Sequence, residues 1–234
     1  MIELCNVTKV YETGGRPYTA LSVNTHIEKG EFVVITGRSG SGKSTLLNLL
    51  SGIDRPTTGE VKVMGTAITD YSESQMAEWR GGTMGIVFQF FQLIPNLTVL
   101  ENILLPMDLV QKKRTGNSTG EALSLLDRVG MRDHADKMPS ELSGGEQQRV
   151  AIARSLANHV PILIADEPTG NLDSKNTCVI LDLFRELAED GMTIIMVTHE
   201  TEHIKGSTRE IVLKDGRIVK DSKTKKGGDT IGIA

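Results

Sequence analysis

The sequence predicts an α/β domain: a mostly parallel sheet with helices, antiparallel β elements near the N-terminus, and an inserted α-helical subdomain. Two observations carry this. Short apolar runs at 31–36 (EFVVIT), 84–88 (MGIVF) and 162–165 (ILIA) have the continuous hydrophobicity of strands buried on both faces. These runs alternate with stretches of helical spacing, the pattern of strands joined by crossover helices.

Taken in order, residues 2–11 alternate and are rich in β-formers, which predicts a strand, and 21–27 alternate again. A Gly/Ser loop at 37–44 follows the first buried run, and a helix is expected from 45 to 50. Residues 60–63 read as a short strand. From 98 to 157 the pattern turns helical. Leu100, Ile103, Leu104 and Met107 fall at helical spacing, as do Ala122, Leu123, Leu125, Leu126 and Val129. A polar connector, 112–120 (KKRTGNSTG), separates them. Alternation then returns with a helix at 177–188, a strand at 193–197 and a hairpin of 211–213 and 217–219 around Asp215-Gly216. The expected organisation of 1–234 is one domain. Its core covers about 1–90 and 158–221, its helical subdomain about 91–157, and a loosely held tail 222–234. Lys223, Lys225 and Lys226 of that tail are expected to be solvated.

Composition narrows the function classes. A chain of 234 residues with 38% hydrophobic and 24% charged residues buries a large core without disulfides or metals. A formal net charge of -4 gives no sign of bulk nucleic-acid binding, and no nucleic-acid partner is expected. Cys5 and Cys178 are expected as reduced, packed thiols. No apolar run is long enough to span a bilayer, and the N-terminal residues lack the basic-then-apolar pattern of a secretory signal. A membrane role is therefore expected to come through a partner chain.

The chemistry starts at Gly37-Arg38-Ser39-Gly40-Ser41-Gly42-Lys43-Ser44, which fits G-x-x-x-x-G-K-[ST], with Thr45 opening the helix behind it. Glycines let successive backbone N–H groups turn toward one anion, and the helix N-terminus adds a positive field. Lys43 places a full charge on the β/γ-phosphates, and the Ser44 hydroxyl suits Mg²⁺, a hard cation that prefers oxygen. The apolar strand 162–165 ends in Asp166 and Glu167. On a strand these two acids point in different directions, so one serves Mg²⁺ while the other faces the γ-phosphate and a water. Together these features predict a P-loop NTPase core.

Further motifs carry a family resemblance. Leu142-Ser143-Gly144-Gly145-Glu146-Gln147-Gln148-Arg149, followed by a helix expected at 149–157, resembles the signature motif of ABC ATPases. Asp166-Glu167-Pro168-Thr169 with Gly170-Asn171-Leu172-Asp173 resembles the Walker B and D-loop run of that family. Val197-Thr198-His199-Glu200 resembles its switch-histidine segment, Gln89 its Q-loop glutamine, and Tyr11 the aromatic that stacks on adenine. The likeness spans about 1–221. The segments 169–173 and 92–98 bring it nearest to the subgroup of lipoprotein-release, macrolide-export and FtsE-type ATPases. Glu146 stands where many members carry Gln, and Phe90-Phe91 is more apolar than that loop usually is.

The resemblance implies ATP and Mg²⁺ as cofactors, with Ser44, Gln89 and Asp166 serving the metal. Glu167 polarises the attacking water, His199 contacts the γ-phosphate, and Asp173 communicates across a dimer. It also implies that Leu142, Ser143, Gly144, Gly145 and Glu146 meet ATP held by a second copy of the chain, in a head-to-tail pair. The wider partner implied is an integral membrane permease of MacB, LolE or FtsX type, at the cytoplasmic face of the cell membrane, moving a lipoprotein, peptide or drug. The alternative is an FtsE-type ATPase that signals through a membrane partner without transport. Phe90, Phe91, Leu93, Ile94 and Leu97 are read either as a groove for a cytoplasmic helix of the permease or as subdomain core.

Overall fold

The computed structural model describes residues 1–110, 117–200, 206–224 and 230–232. Part of the 112–120 connector lies outside them, as do Lys225 and Lys226. By its contacts the chain forms two compact units, Met1–Ala77 with Arg185–Ala234, and Glu78–Phe184.

In the first unit, β1 (Ile2–Thr13), β2 (Arg16–Ile27), β4 (Thr58–Val63) and β5 (Thr66–Ala67) make an antiparallel sheet in the order β2-β1-β4-β5. Inward positions such as Ile2, Leu4 and Val7 are buried, and the pattern shifts register at a bulge where Asn6 takes φ 50°. The same unit holds β3 (Phe32–Thr36), buried along its whole length and flanked by β8 (Thr193–Val197) and β9 (Arg209–Lys214), both parallel to it. An Asp215-Gly216 turn, with φ of 49° and 72°, closes β9 onto β10 (Arg217–Thr224). The hairpin is longer than the sequence suggests: β10 stays paired through Thr224, and Ser222 is fully buried. Thr230–Gly232 adds the short strand β11 beside it. Arg209 anchors this edge from a buried position, donating to Asp221 at 2.7 Å, to the His26 carbonyl at 2.6 Å and to Glu31 at 3.1 Å.

The second unit contains β6 (Met84–Val87) and β7 (Ile162–Asp166), a parallel pair with Val87 opposite Ala165. Its helices are α3 (Val99–Val110), α4 (Ser118–Arg128) and α5 (Gly144–Ser155). Pro106 is accommodated inside α3, where Asn158 donates to its carbonyl at 3.1 Å. Asn102, fully buried in α3, donates to the carbonyls of Ile94, Leu97 and Thr98 and so pins the loop before the helix.

Helices α1 (Lys43–Leu50), α2 (Glu73–Thr83) and α6 (Ser174–Glu189) complete the chain. The sequence pattern missed α2, whose single buried residue, Met76, leaves almost no apolar periodicity to read. It also began α5 too late, since Gly144 and Gly145 are poor helix formers held here by a cap. Both thiols are free but exposed, not packed. Cys5 falls on the outward phase of β1 and Cys178 on the solvent side of α6.

Candidate functional site

The candidate residues divide between the two units. In the first, β3 delivers the chain into the loop 37–42 and α1 begins at Lys43. Gly42 takes φ 100° as the residue before α1 and offers no side-chain cap, so the first amides of the helix stay available to an anion. A Cβ at Gly42 would lie 2.8 Å from the Ala20 carbonyl oxygen, so both space and φ require glycine there. Lys43 is buried to 9% exposure, and its Nζ donates to the carbonyls of Gly37 at 2.8 Å and Arg38 at 3.1 Å. Among the described residues, Ser41 Oγ is buried without a hydrogen-bond partner. Arg38, Ser39, Gly40 and Ser44 are exposed. A cationic amine folded onto its own loop, an orphaned hydroxyl and uncapped amides form a cradle that fits a triphosphate.

Tyr11 stands near this loop. Its hydroxyl donates to Asp54 at 2.8 Å, and Thr45 of α1 is a second hydrogen-bond neighbour. Burial, then the bond to Asp54, raises the pKa of the Tyr11 hydroxyl, while Thr45 pulls the other way. Burial opposes ionisation of Asp54. Bonds from Lys9, Tyr11 and the Arg55 amide outweigh it and hold that carboxyl below the usual range. The Lys9 ammonium sits 2.6 Å from Asp54 and 4.9 Å from the Tyr11 ring centre, and Tyr11 as a whole remains 38% exposed. On the neighbouring strand, the Thr198 amide donates to the Ile35 carbonyl, so exposed His199 leaves β8 at the same end at which β3 enters the phosphate loop.

In the second unit, β6 leads to Gln89 and β7 ends on Asp166. Glu167 is not a strand residue as the sequence suggested. It adopts φ 48°, turning the chain out of β7, and its carbonyl accepts from Gly170 at 3.1 Å. The two acids are therefore separated by a left-handed turn rather than by strand alternation. Asn171 donates to the Gln89 carbonyl at 3.1 Å, tying the two loops together. Gln89 and Asp166 offer an amide and a carboxylate oxygen in this unit, and Ser44 a hydroxyl in the first. Each is an oxygen donor of the kind that Mg²⁺ takes, in small number, with phosphate and water as its other ligands. When bound, the metal neutralises charge on the phosphates.

Ser143 caps α5. Its hydroxyl accepts from the Glu146 amide at 3.4 Å and donates to Glu146 Oε2 at 2.6 Å, while Ser143 N–H donates to the same oxygen at 2.8 Å. This is a complete capping box, and the Ser143 bonds hold the Glu146 carboxyl below its ordinary range. Leu142 is buried beneath the cap. A Cβ at Gly144 would meet Phe91 and Leu172 at ordinary contact distance, and one at Gly145 would collide with Asn176. Asn176 in turn donates to Asp173 through N–H and Nδ2, both at 2.8 Å, and these bonds depress the Asp173 carboxyl. The signature and Asp173 are thus fitted to each other through Asn176.

Sequence reasoning missed Lys9, Asp54, Asn176 and Arg154, and it gave Gln148 and Asn171 no role of their own within their motifs. Arg154 holds the carbonyls of Phe91 and Gln92. These residues serve backbone carbonyls or neighbouring side chains, and no spacing rule exposes such partners.

Residues 21–170 match the ABC transporter family. The lipoprotein-releasing system ATP-binding protein LolD of Aquifex aeolicus is 47% identical over 216 residues, spanning 92% of this chain and 94% of that one. The macrolide export ATP-binding/permease protein MacB of Chlorobium phaeobacteroides is 45% identical over 224 residues, which is 95% of this chain but 34% of MacB. A dimeric ATP-binding cassette in a post-hydrolysis state with ADP and Pi superposes with a TM-score of 0.88 at 43% identity, covering 95% of this chain and 98% of the other. The chain belongs to the ABC transporter family and is an ATP-hydrolysing cassette of it.

Proposed function

We propose that the chain binds MgATP on the loop 37–44, pairs head to tail with a second copy, and uses hydrolysis to drive a separate membrane permease. The observation that carries this is the presence of two different anion-accepting helix starts on one chain. One, at α1, has a lysine and uncapped amides; the other, at α5, has a serine cap, two glycines and no lysine. A cap without a counter-charge is suited to close on a triphosphate already held by someone else's lysine. The dimeric cassette described above supports the pairing.

In this reading Tyr11 stacks the adenine, and Gly37 to Thr45 hold the phosphates with Lys43 as counter-charge. Gln89, Ser44 and Asp166 hold Mg²⁺. Glu167 orients and polarises the attacking water, His199 fixes the γ-phosphate, and Asp173 carries the state of one copy to the other. Positioning and charge neutralisation supply most of the rate. ATP becomes part of the dimer interface, so association follows nucleotide occupancy.

No helix among the described residues is long and apolar enough to cross a membrane. In this reading the permease is a separate chain, and this one docks at the cytoplasmic face of the inner membrane. Phe90 is 67% exposed and Ile94 37% exposed, which favours a docking groove over subdomain core for this apolar run. The match to a lipoprotein-releasing ATP-binding protein and to an export protein supports a MacB-, LolE- or FtsX-type partner that handles a lipoprotein, peptide or drug.

Light scattering of the Glu167→Gln variant tests the core of the proposal. It is expected to dimerise with ATP and scarcely turn over, and adding Ser143→Ala is expected to abolish dimerisation. A protein that stays monomeric at saturating ATP refutes the head-to-tail reading. For the permease, Phe90→Asp with Phe91→Asp is expected to keep ATP binding and lose co-purification with a membrane partner.

A further inference from the structure

We infer that Gln148 is a positioning residue that ties the signature cap to the two loops bearing Gln89 and Glu167, so that closure of the cap on one nucleotide sets the chain's own hydrolytic residues. The inference rests on the head-to-tail reading above.

Gln148 lies in α5 on the same rigid helix as the capped Ser143, and it is fully buried. Its Nε2 donates to the Pro168 carbonyl at 2.6 Å and, at 3.4 Å, to the Phe88 carbonyl. Phe88 directly precedes Gln89, and Pro168 directly follows Glu167. These residues leave neighbouring parallel strands, β6 and β7, so one side-chain amide spans both loops where they depart from the sheet. The lacing is doubled by Asn171, which donates to the Gln89 carbonyl, and by Gly170, where a Cβ would lie 3.0 Å from Gln89 Nε2.

The energetics point to function rather than stability. Among the described residues, Gln148 Oε1 is buried with no hydrogen-bond partner. An amide that satisfies two carbonyls while stranding its own acceptor is a poor stabiliser, because the unmet acceptor costs about as much as a hydrogen bond returns. Its distinctive property is geometric: it is a short, stiff link from a helix to two loop backbones. When the partner's triphosphate shifts the N-terminus of α5, Gln148 moves with the helix and carries Pro168 and Phe88 with it. Glu167, held at φ 48°, and Gln89 are the residues next in line.

The test is Gln148→Met, which keeps volume and removes both donors. Steady-state hydrolysis is expected to show kcat lowered roughly tenfold or more with KM for ATP within about twofold. The Hill coefficient for ATP is expected to fall from near ~2 toward ~1, because the two sites no longer report to each other. A merely structural role lowers the folded fraction and leaves the Hill coefficient unchanged; that result overturns the inference, as does wild-type kinetics. Should the methionine variant fail to fold, Gln148→Asn retains the amide but is one methylene too short to span both carbonyls, and the same loss of cooperativity is expected. In parallel, Glu167→Gln protein is examined for ATP-dependent dimers. Dimers together with an unchanged Hill coefficient in the Gln148 variants sink the link alone. Absence of dimers sinks the head-to-tail reading and the coupling with it.

Discussion

Glu146 Oε2 accepts hydrogen bonds from both the hydroxyl and the backbone N–H of Ser143, at 2.6 and 2.8 Å. In the isolated chain, the hydroxyl proposed to meet the partner's triphosphate is thus already engaged with a carboxylate of its own motif. The hydroxyl must rotate away to meet a phosphate, and the carboxylate remains beside an incoming anion. His134 lies 3.4 Å from the other side of Glu146 and offsets that charge when protonated.

Replacing Glu146 by Gln removes the negative charge and keeps a carbonyl acceptor for the Ser143 amide. The ATP concentration needed for dimerisation is expected to fall by roughly threefold to tenfold, as one unfavourable charge leaves the interface. Titrating dimer formation against ATP in the Glu167→Gln background measures this. An unchanged midpoint means that Glu146 does not face the nucleotide.

The same pair makes a pH prediction. Hydrogen bonds from Ser143 hold the Glu146 carboxyl below its ordinary range. A carboxyl depressed by folding stabilises the native state above its unfolded pKa. That contribution is lost as pH falls through the folded value. The stability difference between wild type and Glu146→Ala is therefore expected to be constant near neutrality, about 1 kcal/mol for a lost cap, and to shrink below about pH 4. Urea denaturation across pH reads it directly. A difference that grows on acidification contradicts the assignment.

Tyr11 separates stacking from hydrogen bonding. Its hydroxyl is held by Asp54, while the residue is 38% exposed and its ring is flanked by the Lys9 ammonium. Tyr11→Phe keeps the ring and is expected to leave ATP affinity within about twofold. Tyr11→Ala removes a stacking platform worth roughly 1–3 kcal/mol, a loss of about tenfold or more in affinity. Fluorescent-nucleotide titration of both variants checks this. Equal affinities for the two variants exclude the ring from the adenine site.

What was legible in the chain follows from which constraints are local. The phosphate loop and β3 could be read because a buried strand feeding a glycine loop leaves a continuous apolar run and fixed glycine positions. Helix α2 was not legible because it buries little more than Met76. Glu167 was misread as a strand residue because its left-handed backbone is imposed by the turn that follows, not by its own side chain. Cys5 was expected inside on residue type alone, whereas strand phase and the bulge at Asn6 decide which side chains face out. Gln148 was legible only as a letter of the signature motif, because its partners, the carbonyls of Phe88 and Pro168, come from segments far apart in sequence.

Lys43 supplies the last prediction. Its amine satisfies the Gly37 and Arg38 carbonyls, so the loop is held in shape by the very group proposed to bind the phosphates. Lys43→Met keeps the aliphatic stem and removes the charge with both bonds. Without nucleotide the cost is expected to be modest, about 1–2 kcal/mol, since the net worth of each bond is near 1 kcal/mol and the loop backbone is partly solvated. With nucleotide the difference is expected to be large. Wild-type protein gains stability from ATP by mass action, with Tm climbing as ATP rises above its Kd, whereas the variant's Tm stays flat through millimolar ATP. Thermal unfolding over a series of ATP concentrations distinguishes these outcomes in one experiment. A variant that matches the wild-type ATP-dependent rise shows that Lys43 serves the loop and not the phosphates.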